Sequence, residues 1–299
     1  MNLKRFNIDD PEWLGLLLIT PTMLIVLGFL FLPFFYSLVL GFMNYDLARP
    51  ATMGFIGLRN YFRLFRDNYF LNSFKVTVIF SLISVIFELI LGVGIALILD
   101  QKFVGRGVMR GLIILPWALP SIVNAAMWMW IYNANFGALN ALLTQLGIID
   151  EYQIWLADPF KAMALVIFAN IWKETPFTVV MILAALQGIP SELFEAAKID
   201  GATAWQNLVH ITLPLLKPII MICGLLQTIW SFQTFELVYI VTRGGPYRAT
   251  DIMPIRIYWQ TFKSLRFGYG AAMAYLTALI LLIPSFFYIR SAYRSIVEY

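Results

Sequence analysis

At 299 residues, with 61% hydrophobic and only 13% charged side chains, the chain carries about half the charge of an ordinary soluble domain, for which roughly 25% is typical. That composition excludes a plain soluble enzyme, and the same excess of apolar side chains excludes a disordered chain. The net charge of +4 comes from 21 Lys and Arg scattered along the sequence, with no dense basic block of the kind that tracks phosphates, so no nucleic-acid partner is expected. The expected surroundings are a lipid bilayer.

A helix crossing the hydrocarbon layer needs about 20 mostly apolar residues, because lipid offers no partners to unpaired backbone groups. Six stretches qualify: Leu14 to Gly41, Phe74 to Leu99, Gly107 to Tyr132, Phe160 to Leu186, Leu215 to Val241 and Ala271 to Ala292. The expected fold is an all-α membrane protein of six transmembrane helices, with residues 14–292 as one transmembrane domain between the terminal segments 1–13 and 293–299. The first stretch follows Lys4 and Arg5, but it is too long for a signal-peptide core and no small-residue cleavage site follows it, so it reads as a retained anchor. Pro21, Pro33, Pro116, Pro120, Pro176 and Pro284 lie within spans. Each is expected to kink its helix, with neighbouring groups satisfying the freed carbonyl.

Lys and Arg favour cytoplasmic loops. Here nine fall on the side holding both termini and eleven on the other, so charge alone does not set the orientation. The single cysteine, Cys223, lies in an apolar run. It excludes an intrachain disulfide and a cysteine zinc site and reads as a packing residue. The only histidine, His210, reads as a packing or partner contact. No metal site and no catalytic residue is expected.

Between the fourth and fifth spans the chain reads SELFEAAKIDGATAWQNLVHITLP, from Ser191 to Pro214. Ser191 is a candidate N-cap for a helix from Glu192 to about Ile199, and Asp200-Gly201 is a helix stop, since glycine adopts left-handed backbone without penalty. Thr203 and Gln206 have the spacing of a capping box that opens a second helix. Helices in bundles are joined by two to eight residues, so a capped helix-turn-helix is more than a connector. With one lysine against Glu192, Glu195 and Asp200, it also lacks the basic face of a lipid-surface helix. A protein partner is the favoured reading.

Glu195-Ala196-Ala197, then Asp200-Gly201-Ala202 and Ile211-Thr212-Leu213-Pro214, closely resemble the cytoplasmic EAA motif of permease subunits of ABC importers, with Leu208 where that family often has phenylalanine. Phe55-Ile56-Gly57-Leu58 with Asn60-Tyr61, Phe136-Gly137 with Asn140, and Gly244-Gly245-Pro246 with Thr250 are similar to its carbohydrate branch, the maltose-type permeases. The resemblance implies a type I importer permease fold with a coupling helix that docks in a groove of an ATP-hydrolysing subunit. Glu195, Ala196, Ala197, Asp200, Gly201, Ala202, Leu208 and Pro214 are the implied coupling residues. The implied setting is the cytoplasmic membrane of a bacterium or archaeon, with the loop and both termini inside. The implied partners are a second homologous permease, a dimer of ATPase subunits and an extracytoplasmic sugar-binding protein. No G-x-x-x-x-G-K-[ST] phosphate loop occurs in the sequence, so ATP and Mg are expected on the partner ATPase and this chain is expected to be no enzyme.

Polar side chains inside spans face the bundle interior or a water-filled cavity. At 100° per residue, Asn170, Lys173, Glu174 and Thr178 share an arc of about 140°, and Gln227, Trp230, Ser231 and Thr234 one of about 100° with Gln233 on its border. Amides, hydroxyls and a flat ring suit a sugar, whose hydroxyls need directional hydrogen bonds and whose C–H faces pack on aromatics. These nine are the candidate substrate-path residues. The alternative is ordinary interhelical bonding, worth about 0.6 kcal/mol per pair. Lys173 is expected to pair with Glu174 or with Glu88, Glu88 to be structural, and Glu236 to be a group at the membrane edge. The function expected is transport of a di- or oligosaccharide, with a glycerol-phosphate-type substrate left open. The competing class is a proton-coupled carrier using Glu88, Glu174 and Glu236, although no internal repeat relates the two halves.

Overall fold

The computed structural model describes residues 11–297, with side chains from 14 to 290. The terminal segments 1–13 and 293–299, and with them Lys4, Arg5 and Arg294, lie outside the described side chains. The described chain forms two compact units, one up to Phe65 with Ile257–Leu276, the other Arg66–Arg256 with Thr277 onward.

In the first unit, α1 (Pro11–Ile25) leads through a π-helical turn, Val26–Phe31, into α2 (Leu32–Gly41). Pro33 stands in the first turn of α2, where its ring would crowd the carbonyl four residues back. The wider π turn just ahead of it makes that room. Only 6% of this first span's most apolar window is buried, so its stability depends on lipid or on another chain. A short hairpin then pairs Met43–Asn44 with Gly54–Phe55, followed by α3 (Arg59–Leu64). Buried Asn60 donates to the carbonyls of Gly41 and Met43 at 3.0 and 2.9 Å, which ties α3 to the end of α2.

The second unit begins with α4 (Asn68–Asp100), whose N-cap Asp67 accepts from the Tyr69 amide at 2.8 Å. α5 (Arg106–Ala118) and α6 (Ser121–Ile131) follow at 93° to one another. The expected third span is therefore broken rather than kinked. Pro120 is the cause, because the residue before a proline is driven out of the α region, and Leu119 has ψ 135°. α7 (Ala138–Gln145) leads to α8 (Pro159–Gln187), which runs unbroken through Pro176. Buried Asn140 fixes the loop between them, accepting from the Gln153 amide at 3.0 Å and from Trp155 Nε1 at 2.8 Å.

α9 (Ser191–Ile199) and α10 (Ala204–Asn207) form the loop after α8. A π turn at Leu208–Thr212 then enters α11 (Leu213–Gln233), again just ahead of a proline, Pro214. The chain leaves helix at Thr234, where ψ is 111°, and resumes as α12 (Glu236–Val241), so the expected fifth span is interrupted too. α13 (Met253–Tyr258) and α14 (Phe267–Val297) complete the fold. Among the described residues, five helical stretches are long and apolar enough to cross a membrane, and the bent α5–α6 pair, taken as one span, makes six, the number expected.

The core of this second unit is built on the contact between α4 and α8. Gly92 of α4 lies against Thr178 of α8 so closely that an added Cβ would stand 2.7 Å from the threonine Cβ. Above that contact Phe80, Val166, Val238, Ile252 and Ile255 pack together, and below it Ala96, Val179, Ile182 and Leu216. Cys223 is buried, as a packing residue would be.

Candidate functional site: a polar cavity and an exposed helical hairpin

A cavity of about 180 Å³ opens inside the second unit, lined by Ser121, Asn124, Asn170, Lys173, Glu174, Gln227, Trp230, Ser231, Gln233, Thr234, Glu236 and Leu237. Four helices, with the breaks beside two of them, supply its polar groups. α8 brings Asn170, Lys173 and Glu174 from one face, and α11 brings Gln227, Trp230 and Ser231. The two interruptions supply the rest, with Ser121 and Asn124 opening α6 after Pro120 and Thr234 and Glu236 flanking the break between α11 and α12. A helix break in the middle of a span frees backbone groups that lipid cannot satisfy, and such breaks are tolerated where they border protein or a water-filled space.

Eight of the nine residues placed on the path from helix-face arithmetic line this cavity. Thr178 does not. It is fully buried behind the wall, where its Oγ1 accepts from Gln227 Nε2 at 3.2 Å while its methyl side meets Gly92. Lys173 pairs with Glu174 at 2.7 Å and not with Glu88. The partner of Glu88 is Asn170, whose Nδ2 donates to Glu88 Oε1 at 2.9 Å. Glu236, expected at the membrane edge, is exposed and lines the cavity from the first turn of α12. Ser121 and Asn124 had gone unremarked in the sequence, although two polar residues three apart after a proline in an apolar run were a readable signal. Asn124 is fully buried, yet neither its amide nitrogen nor its oxygen has a partner among the described residues. Trp230 presents its ring to the cavity and is held edge-to-face by Phe177, with centroids 4.7 Å apart.

The second feature is the hairpin after α8. Ser191 is the first helical residue of α9 rather than its cap; Pro190 takes the cap position and no side-chain cap bond forms. The stop is as the sequence required. Gly201 has φ +78°, the Ala202 amide donates to the Ala197 carbonyl at 2.9 Å, and the Gly201 amide to the Lys198 carbonyl at 3.2 Å. This pair of bonds is a Schellman motif, which satisfies carbonyls the helix end would otherwise orphan. Thr203 and Gln206 close their capping box, with Thr203 N donating to Gln206 Oε1 at 2.8 Å and Gln206 N to Thr203 Oγ1 at 3.3 Å. His210 Nδ1 donates to the Gln206 carbonyl at 3.0 Å. A stiff, doubly capped turn therefore stands between two helices.

Glu195, Ala196, Asp200 and Gly201 are exposed, Ala197, Ala202, Leu208 and Pro214 half-buried. Two large apolar side chains stand bare beside them, Ile199 at 86% and Trp205 at 71% exposure. Neither had been singled out in the sequence, where an apolar residue in an amphipathic helix passes for core.

A bundle of membrane-spanning helices, interrupted where it borders a polar cavity and ending in a rigid exposed hairpin, is the construction of a transport permease. The chain belongs to the family described as the binding-protein-dependent transport system inner membrane component, which matches residues 88–294. It is 38% identical over 281 residues to the trehalose/maltose transport system permease protein MalF of Thermococcus litoralis, a match covering 93% of this chain and 92% of that protein. It is 32% identical over 275 residues to the sn-glycerol-3-phosphate transport system permease protein UgpA of Agrobacterium fabrum, covering 92% of each. Its fold matches a chain of the crystal structure of a bacterial ABC transporter involved in the import of the acidic polysaccharide alginate, with a TM-score of 0.83 at 24% identity, over 95% of this chain and 96% of that one. The chain is a multi-pass membrane permease with the fold of a type I ABC importer.

Proposed function

We propose that the chain is one of two permeases that together form the path of an ATP-driven sugar importer, receiving its solute from an external binding protein and its motion from a separate pair of ATPase subunits. The observation that carries the sugar reading is the cavity, where amides, a hydroxyl-bearing helix face and the Trp230 ring converge inside an otherwise apolar unit. At about 180 Å³ it is smaller than the 300–1,000 Å³ usual for a small-molecule site. That size suits a half-site which the second permease completes. Similarity to a trehalose/maltose permease supports a disaccharide. A glycerol-phosphate-type substrate is the second reading, supported by the similarity to the glycerol-3-phosphate permease and by Lys173 on the wall.

The hairpin supplies the coupling. Glu195 offers a carboxylate to a partner's donors, Ala196 and Ala197 keep α9 slim enough for close approach, and Asp200, Gly201 and Ala202 make the turn. Leu208 and Pro214 lead the push into α11. Ile199 and Trp205 add apolar area that a partner groove would cover, in keeping with the central role of buried aromatic side chains at interfaces. In this reading the hairpin and both termini face the cytoplasm, and ATP and Mg are bound only by the partner subunits. ATP binding closes the motor, the hairpin moves with it, and rigid-body motion of the permeases switches access to the path.

The test is uptake into vesicles that hold the whole complex, with ATP enclosed and binding protein outside. Saturable uptake of trehalose or maltose that needs ATP and persists when a protonophore collapses the proton gradient is the expected result. Uptake driven by the proton gradient without ATP would establish a proton-coupled carrier instead.

A further inference from the structure

A second cavity, of about 290 Å³, lies between α5 and α8 at the end of α8 that passes into the hairpin. Its wall is aliphatic, with Ile113 and Ile114 from α5 and Val179, Val180, Leu183 and Ala184 from α8. Two polar residues complete it, Arg110 one turn before Ile113 and Gln187 one turn after Ala184. They stand together: with its amide oxygen turned toward the arginine, Gln187 accepts from Arg110 Nη1 and Nη2 at 3.2 Å. Arg110 Nη2 also donates to the Leu99 carbonyl at 2.9 Å, while its buried Nε has no partner among the described residues. Every acceptor this guanidinium meets is neutral. Arg106, one turn earlier, likewise donates to a carbonyl, that of Asp100, at 3.3 Å, and Lys102 is exposed. Among the described residues no ion pair involves Lys102, Arg106 or Arg110. Asp100 is the only carboxylate between Glu88 and Asp150, so this end of the groove carries an excess of positive charge.

We infer that this groove binds an anionic phospholipid from the leaflet at the hairpin end, with the phosphate on Arg110, supported by Arg106 and Lys102, and an acyl chain along the aliphatic wall. A charged side chain in a membrane helix is costly unless it is paired or reaches the headgroups, and a guanidinium fork matches a phosphate in shape and charge. Basic pockets between transmembrane helices are suited to anionic headgroups for the same reason. The outer face of α5, with Val108, Met109, Leu112 and Leu115, is exposed and wholly apolar, so a chain reaches the groove without crossing water. Charge also selects the lipid over the apolar face of another protein chain, which would bury the guanidinium without supplying an anion. The bound lipid ties the first turns of α5 to the helix that leads into the hairpin. The site is separate from the polar cavity and holds whichever solute is carried.

The experiment places the complete complex in phosphatidylcholine nanodiscs with a small share of either phosphatidylglycerol or phosphatidylcholine bearing the same photoreactive acyl chain, and maps the cross-linked peptides. Phosphatidylglycerol is expected to label the α5 and α8 wall more strongly than phosphatidylcholine. Arg110→Gln should reduce that labelling about fivefold, the effect of one basic residue on an anionic lipid, while Arg110→Lys, which keeps the charge, should retain most of it. Ala184→Phe fills the groove without touching the cations and should reduce labelling of the wall by both lipids. If Arg110→Gln fails to assemble, the comparison of the two lipids on the wild type and on Ala184→Phe answers the same question. Equal labelling of the wild-type wall by the two lipids overturns the headgroup site, and labelling confined to other segments overturns the groove. A photoreactive residue placed at Val180 that cross-links to the second permease instead of to lipid would show that a protein chain covers this face, and that result also overturns the proposal.

Discussion

At Gly201 a single backbone angle decides the shape of the exposed hairpin. A φ of +78° costs an L-residue roughly 1–2 kcal/mol, and the two Schellman bonds depend on it. Gly201→Ala is therefore expected to leave the transmembrane bundle intact while the turn opens more often. Hydrogen exchange at the Ala202 amide should quicken by roughly 5- to 30-fold, the factor that 1–2 kcal/mol represents, and transport should fall without a change in sugar KM. Unaltered exchange with full transport would show that the turn does not act as a rigid lever. Gly201 was legible from sequence because Asp-Gly after a short amphipathic run has one local meaning. Glu88 was not: its partner Asn170 lies 82 residues away, and a carboxylate in an apolar span looks the same whether it meets a lysine, a proton path or an amide.

Among the elements, α4 and α8 set the geometry of the cavity. Their close approach at Gly92 and Thr178 is what brings Glu88 behind Asn170 and Thr178 behind Gln227. Gly92→Ala places a methyl group inside the threonine's van der Waals radius, and overpacking of this kind costs about 1–3 kcal/mol. The expected outcome is a lower thermal midpoint for the purified protein together with a raised sugar KM, because Thr178 cannot yield without releasing Gln227. A lowered midpoint with unchanged KM would separate this packing from the cavity. The helix-face arithmetic worked for α8 and α11 because both are regular through the cavity region. It could not foresee that the third and fifth spans break, at Leu119–Pro120 and at Thr234. Those breaks are what add Ser121, Asn124 and Glu236 to the wall.

For the whole molecule the proposed function requires that motion of the exposed hairpin reach the cavity. α10, the π turn and α11 form one helical path from Ala204 to Gln233, and Gln227, Trp230 and Ser231 near its far end line the cavity. In the proposed function this element would carry displacement of the hairpin to three side chains of the wall. Trp205→Ala removes a ring that is 71% exposed, so the stability of this chain should change by no more than about 0.5 kcal/mol, as for other surface substitutions. The affinity for the ATPase subunits should fall by at least about 2 kcal/mol if the ring is a central anchor, measured as loss of ATPase from the purified complex. Retention of the ATPase at wild-type affinity would remove Trp205 from the interface. The sidedness has its own check. With Cys223 replaced by serine, a membrane-impermeant thiol reagent should label Ile199→Cys only from the face where ATP is supplied.

Patterns a few residues long were settled by the sequence itself: the six apolar stretches, the capping box at Thr203 and Gln206, the glycine stop at Gly201, and the faces of α8 and α11 that carry polar groups. Each depends on backbone propensity or helical period, and these act over one or two turns wherever the segment sits. Tertiary structure decided which polar groups meet. It set Asn170 rather than Lys173 against Glu88, withdrew Thr178 behind the wall, and brought Glu236 to the cavity at a helix break. Such pairings depend on the packing of helices far apart in the chain, where a close approach of a few ångströms at one glycine selects the partners.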